Sequence, residues 1–222
     1  MLKKLFVAIL LSGSAILVAQ NKDFGAWYSL GGRYEITKKI QLNISEEFRT
    51  NSNAGSINQF FTELGLNYKL NKYFSIGGNY RFIKKREDDD QFYTRNRFYG
   101  DLEFKLPLKR FEFNYRFRFQ KQKNKFAEYE IDLEPIFINR HKFELEYNIP
   151  GSKLTPSVFY ERFFRTYTSK AYEAVSVRYG LGLSYKFNKK HAISAGYFVD
   201  KDLVPNVEYL RVLSFGYRFN LK

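Results

Sequence analysis

The chain has 222 residues, of which 44% are hydrophobic and 19% aromatic, and its formal net charge is +14 at pH 7. It contains no cysteine, which excludes disulfides, cysteine-ligated metals and a thiol nucleophile. The sequence has no dense basic block of the nucleic-acid-binding type. We therefore expect no nucleic-acid partner and place the positive charge in turns, loops and a wet interior.

The first nineteen residues have the pattern of a secretory signal peptide. The positive pair Lys3-Lys4 precedes the apolar run Leu5–Val18, and the small residue Ala19 stands where cleavage is expected. This run is too short and interrupted for a membrane anchor, and no later stretch approaches the length of a spanning helix. We predict a signal peptide over 1–19 and one β-barrel domain over 20–222, because a chain without spanning helices can cross a membrane only as a closed barrel.

Alternation of apolar and polar residues predicts a long series of strands, because neighbouring side chains of a strand point to opposite faces. The first six strands are expected at 25–36, 40–49, 59–70, 73–82, 93–106 and 111–120. The last four are expected at 153–165, 174–187, 191–200 and 210–221. Pro107 is expected in a turn, because proline lacks the N–H that a central ladder uses.

Two hairpins are near-duplicates in sequence. Residues 68–80 read YKLNKYFSIGGNY and residues 185–197 read YKFNKKHAISAGY. Each has an asparagine between two alternating runs, which predicts a tight turn because asparagine tolerates a positive φ. The chain is therefore expected to be an antiparallel meander of hairpins.

The stretch 128–149 leaves the number of strands open. Residues 139–141 are either a turn between two strands or part of one long bent strand, which gives eleven or twelve strands in total. Outer-membrane barrels formed by one chain usually have an even number of strands and both termini at the periplasmic side. We therefore favour twelve within a range of ten to twelve.

The polar strand faces carry too many charges for a dry core, because a buried unpaired ion costs several kcal/mol. A water-filled lumen removes this cost and turns the apolar faces towards lipid, whereas a soluble lipocalin-like barrel requires the reverse. The fold expected is thus an all-β transmembrane barrel of the outer-membrane type. Its predicted lumen charge cluster consists of Arg95, Arg97, Arg116, Arg118, Glu128, Glu130, Asp132, Glu134, Glu161 and Arg178.

Several short motifs resemble a known family. They are Phe24-Gly25-Ala26-Trp27, Phe48-Arg49, Asn79-Tyr80-Arg81, Pro156 with Tyr160-Glu161, and Arg178-Tyr179-Gly180-Leu181-Gly182 followed by Tyr185-Lys186. The chain resembles the uncharacterised outer-membrane family called domain of unknown function 2490. The resemblance extends from about residue 23 to the C-terminus. It implies a β-barrel in a Gram-negative outer membrane and no catalytic or binding residues.

Candidates for catalysis or metal binding are few. His141 and His191 are the only histidines, are expected near turns, and lack metal-ligand spacing. The acidic run Glu87–Asp90 lacks the ligand alternation of a calcium loop, so a solvated loop tip is favoured over a Ca²⁺ site. We expect no catalytic residue, no metal site and no cofactor.

Three functions are compatible with these patterns. The acidic ladder 128–134 and the arginines of the preceding strand predict either a selectivity constriction in a narrow passive, porin-like channel or a plug of salt bridges. The plug corresponds to a closed structural or accessory barrel that supports an envelope complex through an unknown protein partner. A lipid-modifying enzyme is the third and least favoured function. In each case the expected surroundings are outer-membrane lipid and lipopolysaccharide.

Overall fold

The computed structural model describes residues 22–124, 135–166, 173–204 and 206–221. The predicted signal peptide over 1–19 and the acidic ladder over 128–134 lie outside these residues. The described residues form eleven strands: β1 (Lys22–Glu35), β2 (Ile40–Asn51), β3 (Ser56–Lys69), β4 (Phe74–Arg86), β5 (Phe92–Leu108), β6 (Phe111–Asn124), β7 (Ile136–Tyr147), β8 (Leu154–Thr166), β9 (Glu173–Lys186), β10 (His191–Asp202) and β11 (Glu208–Leu221). Within the same ranges, no helix is long and apolar enough to span a membrane.

The strands form one closed barrel in which each pairs with its neighbours in sequence and β1 pairs with β11. Consecutive strands are antiparallel, whereas β1 and β11 run parallel, from Lys22 opposite Tyr209 to Tyr34 opposite Leu221. The predicted antiparallel meander is confirmed, with eleven strands instead of the favoured twelve. The expected even number is wrong because one parallel pair closes the meander, which puts the start of β1 and the end of β11 at opposite ends.

The connections between strands differ between the two ends of the barrel. At the short-turn end, five connections of two to six residues span 36–39, 70–73, 109–110, 148–153 and 187–190. At the long-loop end, the five connections have four to eleven residues. These two names are used below for the ends of the barrel.

The apolar strand faces point outward and the polar faces point into the lumen, as predicted. Leu30 and Leu181 on the outer wall are 57% and 60% exposed, whereas the inward-facing side chains of Arg140 and Glu161 belong to residues only 8% and 2% exposed. A soluble barrel would bury the first pair and expose the second. The arrangement is therefore that of a barrel whose outer wall meets an apolar environment.

Both predicted hairpins are present, one between β3 and β4 and the other between β9 and β10. In the first turn, Asn71 Oδ1 accepts hydrogen bonds from the backbone N–H groups two and three residues later, at 2.8 and 2.9 Å. Asn188 Oδ1 does the same in the second turn at the same distances. Neither asparagine is among the residues with positive φ. The conformational reason given for these turns is therefore wrong, and side-chain hydrogen bonds take its place.

Pro107 lies within β5, opposite Glu112 of β6, and not in a turn. The pairing of β5 with β4 ends just before this point, where the backbone N–H of Lys105 donates to the carbonyl oxygen of Tyr73 at 2.8 Å. A backbone N–H at position 107 would point to the same side as that of Lys105, towards β4. At that level β4 has not yet begun, so no acceptor stands there. The proline therefore leaves no ladder hydrogen bond unmade.

Residues 139–141 do not form a turn, because β7 runs unbroken from Ile136 to Tyr147. His141 thus lies in the middle of a strand, opposite Phe117 of β6 and Arg162 of β8. The expectation that both histidines lie near turns holds for His191, the first residue of β10, and fails for His141.

Candidate functional site

Arginine and aromatic side chains meet inside the barrel, in the half nearer the long-loop end. The guanidinium carbon of Arg49 on β2 lies 3.5 Å from the ring centroid of Trp27 on β1 and 5.0 Å from that of Phe61 on β3. On the other side of Phe61, the guanidinium carbon of Arg81 on β4 lies 3.8 Å from the same centroid. Arg81 also lies 5.9 Å from Tyr99 on β5. Cation–π contacts thus connect five neighbouring strands.

Glu161 on β8 connects the strands on the other side of the lumen. Its carboxylate accepts a hydrogen bond from Arg116 Nη2 of β6 at 2.7 Å and two from Arg140 of β7 at 3.1 and 3.0 Å. Arg178 Nη1 of β9 lies 4.0 Å from the same carboxylate. The guanidinium of Arg178 is also 4.9 Å from the ring centroid of Trp27, so the contacts return to β1.

Arg118 and Phe198 complete the circle. The guanidinium of Arg118 on β6 lies 3.7 Å from the ring centroid of Tyr99, and Phe198 on β10 packs edge-on against Trp27 at 5.0 Å. Val212 of β11, fully buried, belongs to the same apolar cluster. We call this set the arginine layer: Trp27, Arg49, Phe61, Arg81, Tyr99, Arg116, Arg118, Arg140, Glu161, Arg178 and Phe198.

The arginine layer is densely paired. Arg118 forms two hydrogen bonds with Asp101 at 2.7 and 2.8 Å, and Arg81 Nε donates to Glu63 at 2.6 Å. Two further ion pairs of the layer join Arg49 to Glu47 and Arg178 to Asp200. Because an unpaired buried ion costs several kcal/mol, this pairing is what allows arginines to fill the lumen. Towards the long-loop end, the layer is backed by Ile83 and Gln120, which are 1% and 2% exposed.

Between the arginine layer and the short-turn end lies a cavity of about 630 Å³, here called the vestibule. One wall consists of small side chains from β1, β8, β9, β10 and β11, among them Ser29, Gly31, Ser157, Gly182, Ser184, Ser194, Gly196, Ser214 and Gly216. The charged lining residues comprise the cations Arg49, Arg116, Arg140, Lys142, Arg178 and Arg218 and the acids Glu47, Glu144, Glu146 and Glu161. Six cations minus four acids give the lining a formal charge of +2.

The connections at the short-turn end are uniformly basic. These five connections contain eight lysines and arginines and no aspartate or glutamate. All eight residues are exposed. We call them the basic rim: Lys38, Lys39, Lys72, Lys109, Arg110, Lys153, Lys189 and Lys190. The vestibule lining extends to Thr155 and Ala192, each the second residue of its strand at this end, so the basic rim surrounds its mouth.

Comparison of the sequence with protein families gives one match, which covers residues 24–207. The family is described as a protein of unknown function, DUF2490. The chain belongs to this family. No curated protein matches the sequence.

Two solved structures are similar to this barrel. The β domain of the Bordetella autotransporter BrkA superposes with a TM-score of 0.54 at 10% identity, covering 82% of this chain and 84% of that one. LpxR from Salmonella typhimurium gives a TM-score of 0.51 at 10% identity, with 82% and 83% covered. At this identity the similarity concerns the fold alone. The DUF2490 chain is thus a β-barrel of the outer-membrane type, of unknown function.

The motifs that carry the family resemblance meet in the arginine layer. Trp27, Arg49, Arg81, Glu161 and Arg178 come from five different motifs and five different strands, yet all belong to the layer defined above. The resemblance by itself implied no binding residues. The fold shows that one inward-facing residue of each motif contributes to the same layer.

The residues of the predicted lumen charge cluster are only partly described. Arg116, Arg118, Glu161 and Arg178 belong to the arginine layer. Arg97 donates to Gln122 at 3.0 Å, and Arg95 pairs with Glu87 of the β4–β5 loop. The four acids Glu128, Glu130, Asp132 and Glu134 lie outside the described residues.

Arg116 pairs with Glu161 of β8, and Arg118 pairs with Asp101 of β5. The sequence had suggested the acidic ladder 128–134 as the partner of these two arginines. The predicted cluster also omits Arg49, Arg81 and Arg140. Arg49 and Arg81 lie on the polar faces of their strands, as the predicted residues do. The apolar–polar alternation could therefore have placed them in the lumen. Arg140 escapes this reasoning because the sequence leaves 139–141 open between a turn and part of one bent strand.

The other candidates form local contacts. His141 Nδ1 and the Tyr115 hydroxyl are 2.9 Å apart on the outer wall, and His191 Nδ1 is 2.6 Å from the Tyr217 hydroxyl. In the acidic run 87–90, Asp89 accepts a hydrogen bond from the Tyr93 hydroxyl at 2.6 Å, which lowers the pKa of Asp89 below its usual value. Among the residues that the structure describes, no group of three or more potential ligands could hold a metal ion.

Proposed function

We propose that this DUF2490 protein resides in a bacterial outer membrane and acts there as a closed accessory barrel, not as a narrow passive channel. The location is supported by the apolar outer wall and by the fold. In such barrels the short turns face the periplasm and the longer loops face outward. The long-loop end would then face the lipopolysaccharide leaflet and the basic rim would face the periplasm.

The observation that carries the proposal is the circle of contacts around the lumen. It links strands on every side of the barrel through guanidinium–ring contacts and through the Glu161 carboxylate. Glu161 is 2% exposed and Arg118 is 7% exposed. A pore that conducts hydrated ions needs a continuous path of water, and paired side chains this buried support an obstructed lumen at the level of the layer.

The positions of the histidines support a role without catalysis. Both face the outer wall, so neither can act as a general base in the lumen. The protein would instead contribute a stable wall and two differently shaped ends to an envelope complex. Its protein partner is expected at one of these ends, where connections and not lipid-facing strands are exposed.

Conductance in a planar bilayer tests this proposal. The refolded barrel, verified by heat-modifiable migration, is expected to insert without producing conductance steps. Reproducible steps with an anion or cation preference would contradict the proposal and restore the passive channel.

Two double variants make the result specific. Arg116→Ser with Arg118→Ser removes two side chains of the arginine layer and is expected to open a conducting path. Arg162→Ser with Arg211→Ser removes the same charge from the outer wall, where both residues alternate with inward-facing neighbours, and should stay silent. Conductance steps in the outer-wall variant would show that the current results from the lower net charge, and not from removal of side chains of the arginine layer.

A further inference from the structure

We propose that the vestibule binds a small soluble oxyanion, carrying phosphate or carboxylate groups, that enters from the short-turn end. The arginine layer forms the floor of this site, and binding there does not depend on whether the barrel conducts. The ligand would occupy the space between the layer and the mouth.

The floor of the vestibule offers arginine donors that the ion pairs do not exhaust. Arg116 and Arg178 both bond to Glu161 or Asp200 through their terminal nitrogens. The Nε atoms of both residues are buried without a hydrogen-bond partner. Native structures satisfy most buried donors, so these two Nε groups are donors at the floor of the vestibule that its ion pairs leave unused. Guanidinium groups suit phosphate and carboxylate oxygens in particular, because their planar donors bind two oxygens at once.

Three of the four acids that line the vestibule are paired with cations, and its lining cations outnumber its lining acids. Lys142 Nζ bonds to Glu144 at 2.9 Å, and Asn114 Nδ2 donates to Glu146 at 3.2 Å. Glu161 is shared by three arginines, as described above. Arg218, by contrast, lines the vestibule near its mouth and has no ion-pair partner among the described residues. Arg218 is therefore the lining cation that is free to pair with an anionic ligand.

The small-residue wall provides both room and further donors. A Cβ atom added to Gly182 would lie 2.6 Å from Ser157 Oγ, and one added to Gly216 would lie 2.6 Å from Ser194 Oγ. Glycine at these positions therefore keeps serine hydroxyls uncovered along the wall. Hydroxyls can donate hydrogen bonds to an oxyanion without adding charge.

The basic rim selects what reaches the vestibule. Eight exposed cations lie in connections that contain no acid, and the positive potential they create at the mouth raises the local concentration of anions and speeds their entry. The rim and the floor thus favour the same class of ligand. A soluble anion, and not a lipid headgroup, fits this path because the mouth opens inside the ring of turns.

The single tryptophan allows a direct test. Trp27 lines the vestibule under Arg49 and Arg178, so its fluorescence reports on the floor alone. We would titrate the detergent-folded barrel with sodium pyrophosphate and keep the ionic strength constant with sodium chloride. The wild type is expected to show a saturable change in Trp27 emission. A linear response, or an equal response to chloride alone, would overturn the proposal.

Two variants locate the site. Arg218→Gln, at an exposed position without a partner, is expected to raise the pyrophosphate midpoint about tenfold, the effect of losing one charge-assisted hydrogen bond. Arg116→Gln should raise it by a similar factor if the variant folds. An unchanged midpoint in Arg218→Gln would exclude the vestibule mouth as part of the site. A response to phosphatidylglycerol micelles without one to pyrophosphate would assign the site to a lipid and overturn the soluble ligand.

The basic rim is tested with a matched pair of quadruple variants. Changing Lys38, Lys39, Lys189 and Lys190 to Gln is expected to slow pyrophosphate association about tenfold at low salt. The control changes Lys84, Lys121, Lys123 and Lys201 to Gln, which lowers the net charge by the same amount on strand segments near the long-loop end. This control should leave the association rate unchanged. Equal slowing in both variants would show that net charge, and not the rim, attracts the anion.

Discussion

Glu161 is the residue on which one half of the arginine layer depends. Its carboxylate is the shared partner of Arg116, Arg140 and Arg178, and no second acid contacts Arg140 in the described ranges. Neutralising it would leave a buried guanidinium without a counter-charge. The cost of an uncompensated buried ion exceeds the usual value of a salt bridge, because desolvation has already occurred.

The substitution Glu161→Gln is therefore expected to reduce the free energy of unfolding by about 3–5 kcal/mol. Urea unfolding in lipid vesicles measures this change. The control is Glu112→Gln, which breaks the 2.6 Å pair with Lys105, whose side chain is 56% exposed. A pair with one solvent-exposed partner is expected to contribute about 1 kcal/mol or less. Equal losses in the two variants would contradict a dry, paired layer.

At the scale of the strand pair, β9 and β10 approach each other closely at Gly180. A Cβ atom here would lie 2.3 Å from Phe198 Cβ and 2.4 Å from the carbonyl oxygen of Tyr197. Phe198 packs against Trp27 and Phe159. A glycine opposite Phe198 thus lets this ring reach the apolar part of the arginine layer.

Gly180→Ala is expected to cost about 1–3 kcal/mol of unfolding free energy through overpacking. It should also shift Trp27 emission, because Phe198 must move. Gly78→Ala is the matched control, since a Cβ atom there meets nothing within 4 Å. Unfolding curves and emission spectra of the two variants provide the measurement. A Gly180→Ala barrel with wild-type stability and emission would show that the strands separate without disturbing the layer.

The strands and their faces could be predicted because alternation is a local signal. Each strand shows its two faces within its own sequence, and the two asparagine turns are recognisable from neighbouring residues alone. Contacts between distant strands could not be predicted in this way. The link of Glu161 to Arg116 crosses from β8 to β6, so it depends on strand register and on the closure of the barrel. The position of Pro107 depends likewise on where β4 begins.

At the scale of the whole molecule, the two ends of the barrel differ in charge and in depth. The short-turn end has a basic rim and an open vestibule, whereas the arginine layer fills the lumen towards the long-loop end. The odd number of strands could not be deduced from the sequence, because the parallel pair of β1 and β11 joins the two most distant strands in the chain. With this closure every described strand is paired on both sides, so the sheet has no open edge.

The boundary between vestibule and layer is tested most directly by cysteine accessibility, because the chain has no native cysteine. Ser184 and Ser176 both face inward on β9, on opposite sides of Arg178. Ser184 lines the vestibule, and Ser176 is 9% exposed. A water-soluble maleimide should label Ser184→Cys in the folded barrel and label Ser176→Cys only after unfolding. Labelling of both folded variants at the same rate would contradict a lumen that is filled on the long-loop side of Arg178.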